Sequence, residues 1–132
     1  MYLSLEGKVA MITGAGSGIG RAHAVLMAER GADIVLNDVT SEGLEETASL
    51  AAGAGGRIEL MLYDISEVSG MTRRIQAAEA KFGSIDILVN NAGVSGQRLA
   101  FGDIDEATYD RMVDINLKGT FFATQAVVPG MK

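Results

Sequence analysis

Eight residues constrain this chain more than any others: Thr13-Gly14-Ala15-Gly16-Ser17-Gly18-Ile19-Gly20, standing where an apolar run of strand length hands over to a helical pattern. Glycine at that density costs conformational entropy that a plain strand-to-helix loop need not spend. Each glycine has a predicted task there. Gly14 allows a tight turn, Gly18 lets a pyrophosphate approach the backbone with no Cβ in the way, and Gly20 lets the helix pack close to the strand. Ser17 and Ile19 sit inside the same turn and are assigned to the same nucleotide-binding set. The N–H groups and dipole of the helix that follows attract phosphate. Without a ligand the segment would be only a glycine-rich turn; a P-loop is excluded, because no Gly-Lys-Ser/Thr follows.

The rest of the chain alternates strand-length apolar runs with helical periodicity, the sequence mark of βαβ units around a parallel sheet. The predicted strands run from Val9 to Thr13, Asp33 to Asn37, Ile58 to Tyr63 and Ile85 to Val89. A helix from the glycine turn ends near Arg30 with Gly31 as its cap, and a second, rich in Glu and Ala, covers about Ser41 to Ala52. Val68, Met71, Ile75, Ala78 and Phe82 recur at three- and four-residue steps and form one stripe that should face the sheet. The fourth strand is apolar at nearly every position, as a strand covered on both faces must be. Asp105 is a candidate N-cap for a last helical stretch, kinked near Asn116 and reaching about Val128. The fold class is therefore α/β: a Rossmann-type doubly wound parallel sheet of order 3-2-1-4, with later strands missing.

Composition narrows the function. At 132 residues the chain fits one domain, the N-terminal part of a single nucleotide-binding unit spanning 1–132, with no second domain expected. A net charge of −6 without clustered Lys and Arg argues against nucleic acid as a partner. No apolar run is long enough for a membrane span, and the first residues lack the pattern of a signal peptide. The cytoplasm is the default location. With no cysteine there is neither a disulfide framework nor a thiolate metal site, and no metal is assigned.

The glycine spacing is Gly-x-x-x-Gly-x-Gly, and Asn90-Asn91-Ala92-Gly93 follows the fourth strand. Together, at the ends of the first and fourth strands of one sheet, these motifs closely resemble the short-chain dehydrogenase/reductase family, and the resemblance runs from Gly7-Lys8 to Pro129. It implies an NAD(P)-dependent oxidoreductase acting on a small-molecule alcohol or ketone, as a homo-oligomer, dimer or tetramer. Asp38, 18 positions after Gly20, ends the second strand where a carboxylate can accept from the adenosine ribose hydroxyls and repel a 2′-phosphate. The other reading of Asp38 is a cap on the following turn. Family members that prefer NADP tend to carry a basic residue beside the glycine turn or after the second strand. Here those places hold Ser17 and Asp38-Val39, so NAD is the expected cofactor.

Further roles rest on the resemblance. Asp64-Ile65 is similar to the pair beside the adenine ring, with the Asp meeting the amino group. Asn90, Ala92 and Gly93 are the expected cofactor neighbours after the fourth strand, while Asn91 can be purely structural. Asn116, in Asp114-Ile115-Asn116-Leu117-Lys118-Gly119, resembles the catalytic Asn that bends the helix and holds a water of a proton relay; otherwise it is an idle exposed polar residue. Lys118 reads as a surface residue. His23, the one histidine, reads as a surface or helix-packing residue.

The family's catalytic Ser and Tyr-x-x-x-Lys are not found: Glu6, Glu67 and Val113 stand four residues after Tyr2, Tyr63 and Tyr109. The chain is therefore expected to stop inside its domain, to be inactive alone, and to belong to a reading frame of roughly 250 residues. Two alternatives remain: an NADP(H)-dependent 3-oxoacyl reductase, and a nucleotide-binding module without catalysis. Of the substrate pocket only the loop 94–99 is present, so the substrate itself is not readable.

Overall fold

A computed structural model describes residues 3–95 and 98–132; Met1, Tyr2 and the loop positions Gly96 and Gln97 lie outside the described residues. Four parallel strands stand in the order β3-β2-β1-β4: β1 Val9–Thr13, β2 Asp33–Asp38, β3 Ile58–Leu62 and β4 Ile87–Val89. Helix α1 (Gly18–Glu29) joins β1 to β2, α2 (Ser41–Ala51) joins β2 to β3, and α3 (Val68–Phe82) joins β3 to β4. After β4 come α4 (Glu106–Val113), a wide π-helical segment Asp114–Gly119 and α5 (Thr120–Met131).

Strand alternation divides the interior into two layers. Val9, Met11 and Val35 point to one face, where Met71, Ile75 and Ala78 of α3 meet Ala123 and Val127 of α5. Ala10, Ile12, Ile34 and Leu36 point to the other, against Ala24 and Ala28 of α1 and Leu44 and Ala51 of α2. The small residues on α1 bring that helix close to the sheet. Larger fully buried side chains such as Ile12, Leu36 and Ile75 each contribute about 1.5–3 kcal/mol by leaving water.

The predicted stripe on α3 does face the sheet. Gly31 and Gly83 end α1 and α3 with φ of 97° and 99°, in the left-handed region that glycine enters without strain. Asp105 caps α4 by accepting from the Thr108 N–H at 2.8 Å.

The structure departs from expectation at the fourth strand and the last helix. Pairing in β4 begins at Ile87 rather than Ile85, because the Asp86 carboxylate takes the Val9 N–H at 2.8 Å while the Asp86 N–H donates to the Val9 carbonyl. Ile85 is fully buried ahead of the ladder. The faces of β4 are covered as expected, Leu88 packing into one core layer and Ile87 and Val89 into the other, but each residue is only half-buried, because among the described residues the strand pairs with β1 alone. The last helix runs to Met131 instead of Val128. Pro129 has a helix-compatible φ and removes one ladder bond in the final turn, which does not end it. Among the described residues, no helix is long and apolar enough to cross a membrane.

Candidate functional site

The strand order reverses at β1, between crossovers on opposite faces, and this is where an open α/β sheet leaves a crevice beyond its strand ends. A cleft of about 390 Å³ lies there. Gly14, Ser17, Gly18 and Ile19 form one wall, Asn37, Asp38 and Val39 the end of β2, Tyr63, Asp64 and Ile65 the end of β3, and Asn91, Ala92, Gly93 and Val94 the segment after β4. Arg111 and Ile115, from α4 and the segment after it, complete the lining.

The glycine turn divides its labour. Gly14 has φ of 65°, and a Cβ there would sit 2.8 Å from Asn91 Nδ2 and 2.9 Å from the Ala92 Cα. Gly20 does not border the cleft; a Cβ on it would collide with the Gly14 carbonyl. Gly18, with φ of 54°, has nothing within 4 Å of its Cβ position, so that space is open toward the cleft. Ser17 makes no side-chain cap, and no acidic residue occupies the first turn of α1. The first N–H groups of this helix, which have no intrahelical acceptor, therefore face the cleft without a carboxylate of their own to neutralise them.

Asp38 borders the cleft and also holds the turn. Its Oδ2 accepts from the Gly16 N–H at 2.8 Å, and its Oδ1 accepts from Val39 and Thr40 N–H at 2.7 and 3.2 Å. It thus caps the following turn, and with about four acceptor sites on a carboxylate it keeps capacity for a ligand. Behind the turn, Arg21 donates to the Gly16 carbonyl at 2.6 Å and to Thr47 Oγ1 at 3.0 Å, while the Thr47 hydroxyl donates to the Ala15 carbonyl at 2.7 Å. Sequence reasoning missed this clamp; its signal is Arg21, one helical turn beyond Ser17.

On the opposite wall the two asparagines part company, because successive residues leaving a strand point to opposite faces. Asn91 borders the cleft, donates from Nδ2 to the Thr13 and Gly14 carbonyls at 3.1 Å each, and gives its N–H to Thr13 Oγ1 at 3.0 Å. Asn90, expected beside the cofactor, instead points to α5 and donates to Thr124 Oγ1 at 3.0 Å, outside the cleft lining. Asn116 also lies outside that lining. It grips Val94 at two points, Oδ1 accepting from the N–H at 2.8 Å and Nδ2 donating to the carbonyl at 2.7 Å. It occupies the π-helical segment, so the helix is distorted where the sequence placed a kink. Lys118 is a half-exposed surface residue paired with Asp114, and His23 is half-buried on α1.

Asp64 is held from several sides. Its Oδ1 accepts from Ser66 N–H and hydroxyl at 2.9 and 2.8 Å, and its Oδ2 accepts from Arg111 Nη1 at 2.9 Å. Burial opposes its charge, but the Ser66 and Arg111 bonds outweigh that and hold the carboxyl below the usual carboxylate range. Arg111 was not singled out by the sequence, since an Arg on a polar helix face carries no spacing signal.

A doubly wound sheet with a glycine turn at the head of α1 and an acidic residue ending β2 defines a dinucleotide-binding architecture. Residues 8–132 match the short chain dehydrogenase family, and the chain belongs to that family. The 3-oxoacyl-(acyl-carrier-protein) reductase FabG of Thermotoga maritima is 37% identical over 129 residues, 98% of this chain and 52% of its own length. A short chain dehydrogenase from Mycobacterium paratuberculosis, solved bound to NAD, has a TM-score of 0.91 at 35% identity, over 97% of this chain and 52% of its own. A metagenomic short-chain oxidoreductase solved in complex with NADP has a TM-score of 0.90 at 33% identity, over 99% and 58%. Shape alone therefore does not separate the two cofactors. The chain spans about half the length of the curated relatives it matches.

Proposed function

We propose that this chain is the cofactor-binding part of an NAD(H)-dependent oxidoreductase that moves a hydride between the nicotinamide and an alcohol or ketone. The observation that carries the reading is an uncapped helix N-terminus and Asp38 side by side at the cleft. The first suits a pyrophosphate; the second suits two ribose hydroxyls and opposes a 2′-phosphate. Gly14, Ser17, Gly18 and Ile19 would meet the phosphates, with Gly20 holding the turn against the strand. Asp64 and Ile65 would meet the adenine, and Ala92 and Gly93 the segment beneath the adenosine. When bound, the nicotinamide supplies the hydride; the residues of this chain bind and orient it.

Asn116 is the one catalytic residue proposed here. In this chain its side chain fixes the Val94 loop, which leaves the backbone carbonyl for the relay role that the family resemblance implies. A relay member cannot by itself protonate a developing alkoxide, so the 132-residue chain is proposed to be inactive alone. An NADP(H)-dependent 3-oxoacyl reductase is the second reading, favoured by the similarity to the Thermotoga maritima enzyme. Titration with NADH and NADPH separates them. Tighter NADH binding is expected, narrowed or reversed in Asp38→Ala combined with Val39→Arg; equal affinities in the unmutated chain would remove Asp38 as the ribose ligand.

A further inference from the structure

We propose that Arg111 is a positioning residue that sets the base selectivity of the cleft: by fixing the Asp64 carboxylate, it makes the cleft favour a purine bearing an amino group over one bearing an oxygen at the same place. The proposal rests on the nucleotide reading above.

Asp64 and Arg111 are 47 residues apart in sequence and come from different elements, the end of β3 and the middle of α4. Three donors meet the carboxylate, two from Ser66 on Oδ1 and one from Arg111 on Oδ2. Oδ2 is thus the oxygen with more acceptor capacity left, and Arg111 is its tether beside the two Ser66 bonds on Oδ1. Arg111 Nη1 also lies 3.3 Å from Ser66 Oγ, so one guanidinium braces both ends of the group. Among its described residues α4 buries no side chain, so polar contacts such as this one hold it over the cleft. Arg111 and Val94 also border a second cleft of about 370 Å³, which places the guanidinium as the divider between two spaces. An ionised, oriented acceptor rewards an amino group and repels a carbonyl oxygen. Without Arg111 the carboxylate keeps its two Ser66 bonds on Oδ1, but Oδ2 loses its tether and discriminates less.

The test compares NADH with its hypoxanthine analogue, in which an oxygen replaces the adenine amino group, by titrating the unmutated chain, Arg111→Met and Arg111→Lys. The unmutated chain is expected to favour NADH at least about tenfold, the lower end of the worth of one hydrogen bond to a charged group. Arg111→Met should bring the ratio close to one, and Arg111→Lys, which keeps a cation but loses the planar fork, should fall between. Equal weakening of both nucleotides in Arg111→Met, at an unchanged ratio, would mean that Arg111 only tethers α4, and the proposal fails. If Arg111→Met does not fold, the ratio in Arg111→Lys decides. Binding of both nucleotides equally by the unmutated chain leaves the nucleotide reading standing and overturns this one; binding of neither overturns the nucleotide reading itself.

Discussion

On the β1–α1 side the wall of the cleft is backbone, Gly14 and Gly18 at positive φ, backed by Gly20 pressed against the Gly14 carbonyl behind it. On the β4–α4 side it is tied by side chains, with Asn91 bonded to the β1 turn, Asn116 gripping Val94 and Arg111 holding Asp64. At Gly14 and Gly20 the first wall has no room for an added atom, since the neighbours there are mostly backbone that cannot yield. The second is a set of replaceable bonds, each worth on the order of 1 kcal/mol net. Damage to the two walls should therefore differ in kind: misfolding or lost binding on one side, loosening on the other.

The sharpest way to break this comparison is to set two glycines of the same turn against each other. Gly20→Val should cost about 3 kcal/mol or more, because the new Cβ meets backbone that cannot yield, and binding should vanish together with the fold. Gly18→Val meets open space, so its cost should be only the left-handed strain of about 1–2 kcal/mol. Helix content by circular dichroism should stay nearly unchanged while nucleotide binding is abolished. If both variants unfold alike, the division between packing and ligand-facing glycines is wrong.

On the other wall, Asn116→Ala removes both bonds to Val94, and a loss of about 1–2 kcal/mol in urea unfolding is expected. Nucleotide affinity should fall only a fewfold. A complete loss of binding would show that this side is as unforgiving as the glycine turn.

The smallest effect concerns acid. The Asp64 carboxyl is held low in the folded state, so its stabilisation is present above the unfolded value of about 4 and is lost as pH falls below it. Stability followed from about pH 5 to pH 2 should decline less steeply in Asp64→Asn than in the unmutated chain. An identical decline would mean that Asp64 is no better held when folded than when unfolded.

The same contrast decides what could be read beforehand. Gly14, Gly18 and Gly20 were legible because only glycine meets those backbone demands, and the α3 stripe because burial imposes its period. Asp105 was legible as a cap for a local reason, the Thr108 N–H three residues on. Arg21 with Thr47, Asn37 with Met61 and Tyr63, and Arg111 with Asp64 were not, since each pair is made by strands and helices brought together only in the fold. The bond from Asn90 to Thr124 was not legible for the same reason, since it reaches across to α5. The start of β4 was missed because a side chain, Asp86, took a bond that periodicity assigns to backbone.

The π-helical segment at Asp114–Gly119 works as a phase adjuster between α4 and α5. It holds one residue more than the same number of α-helical turns would, and each residue of a helix turns the next by about 100°. Were the same residues wound as a regular α-helix instead, everything after the segment would be rotated by about that angle relative to α4. Ala123 and Val127, now on the sheet, would swing toward its flank, and Thr124 would leave Asn90. A single added residue thus lets one continuous helix do two jobs, presenting Arg111 and Ile115 to the cleft and its later half to the core.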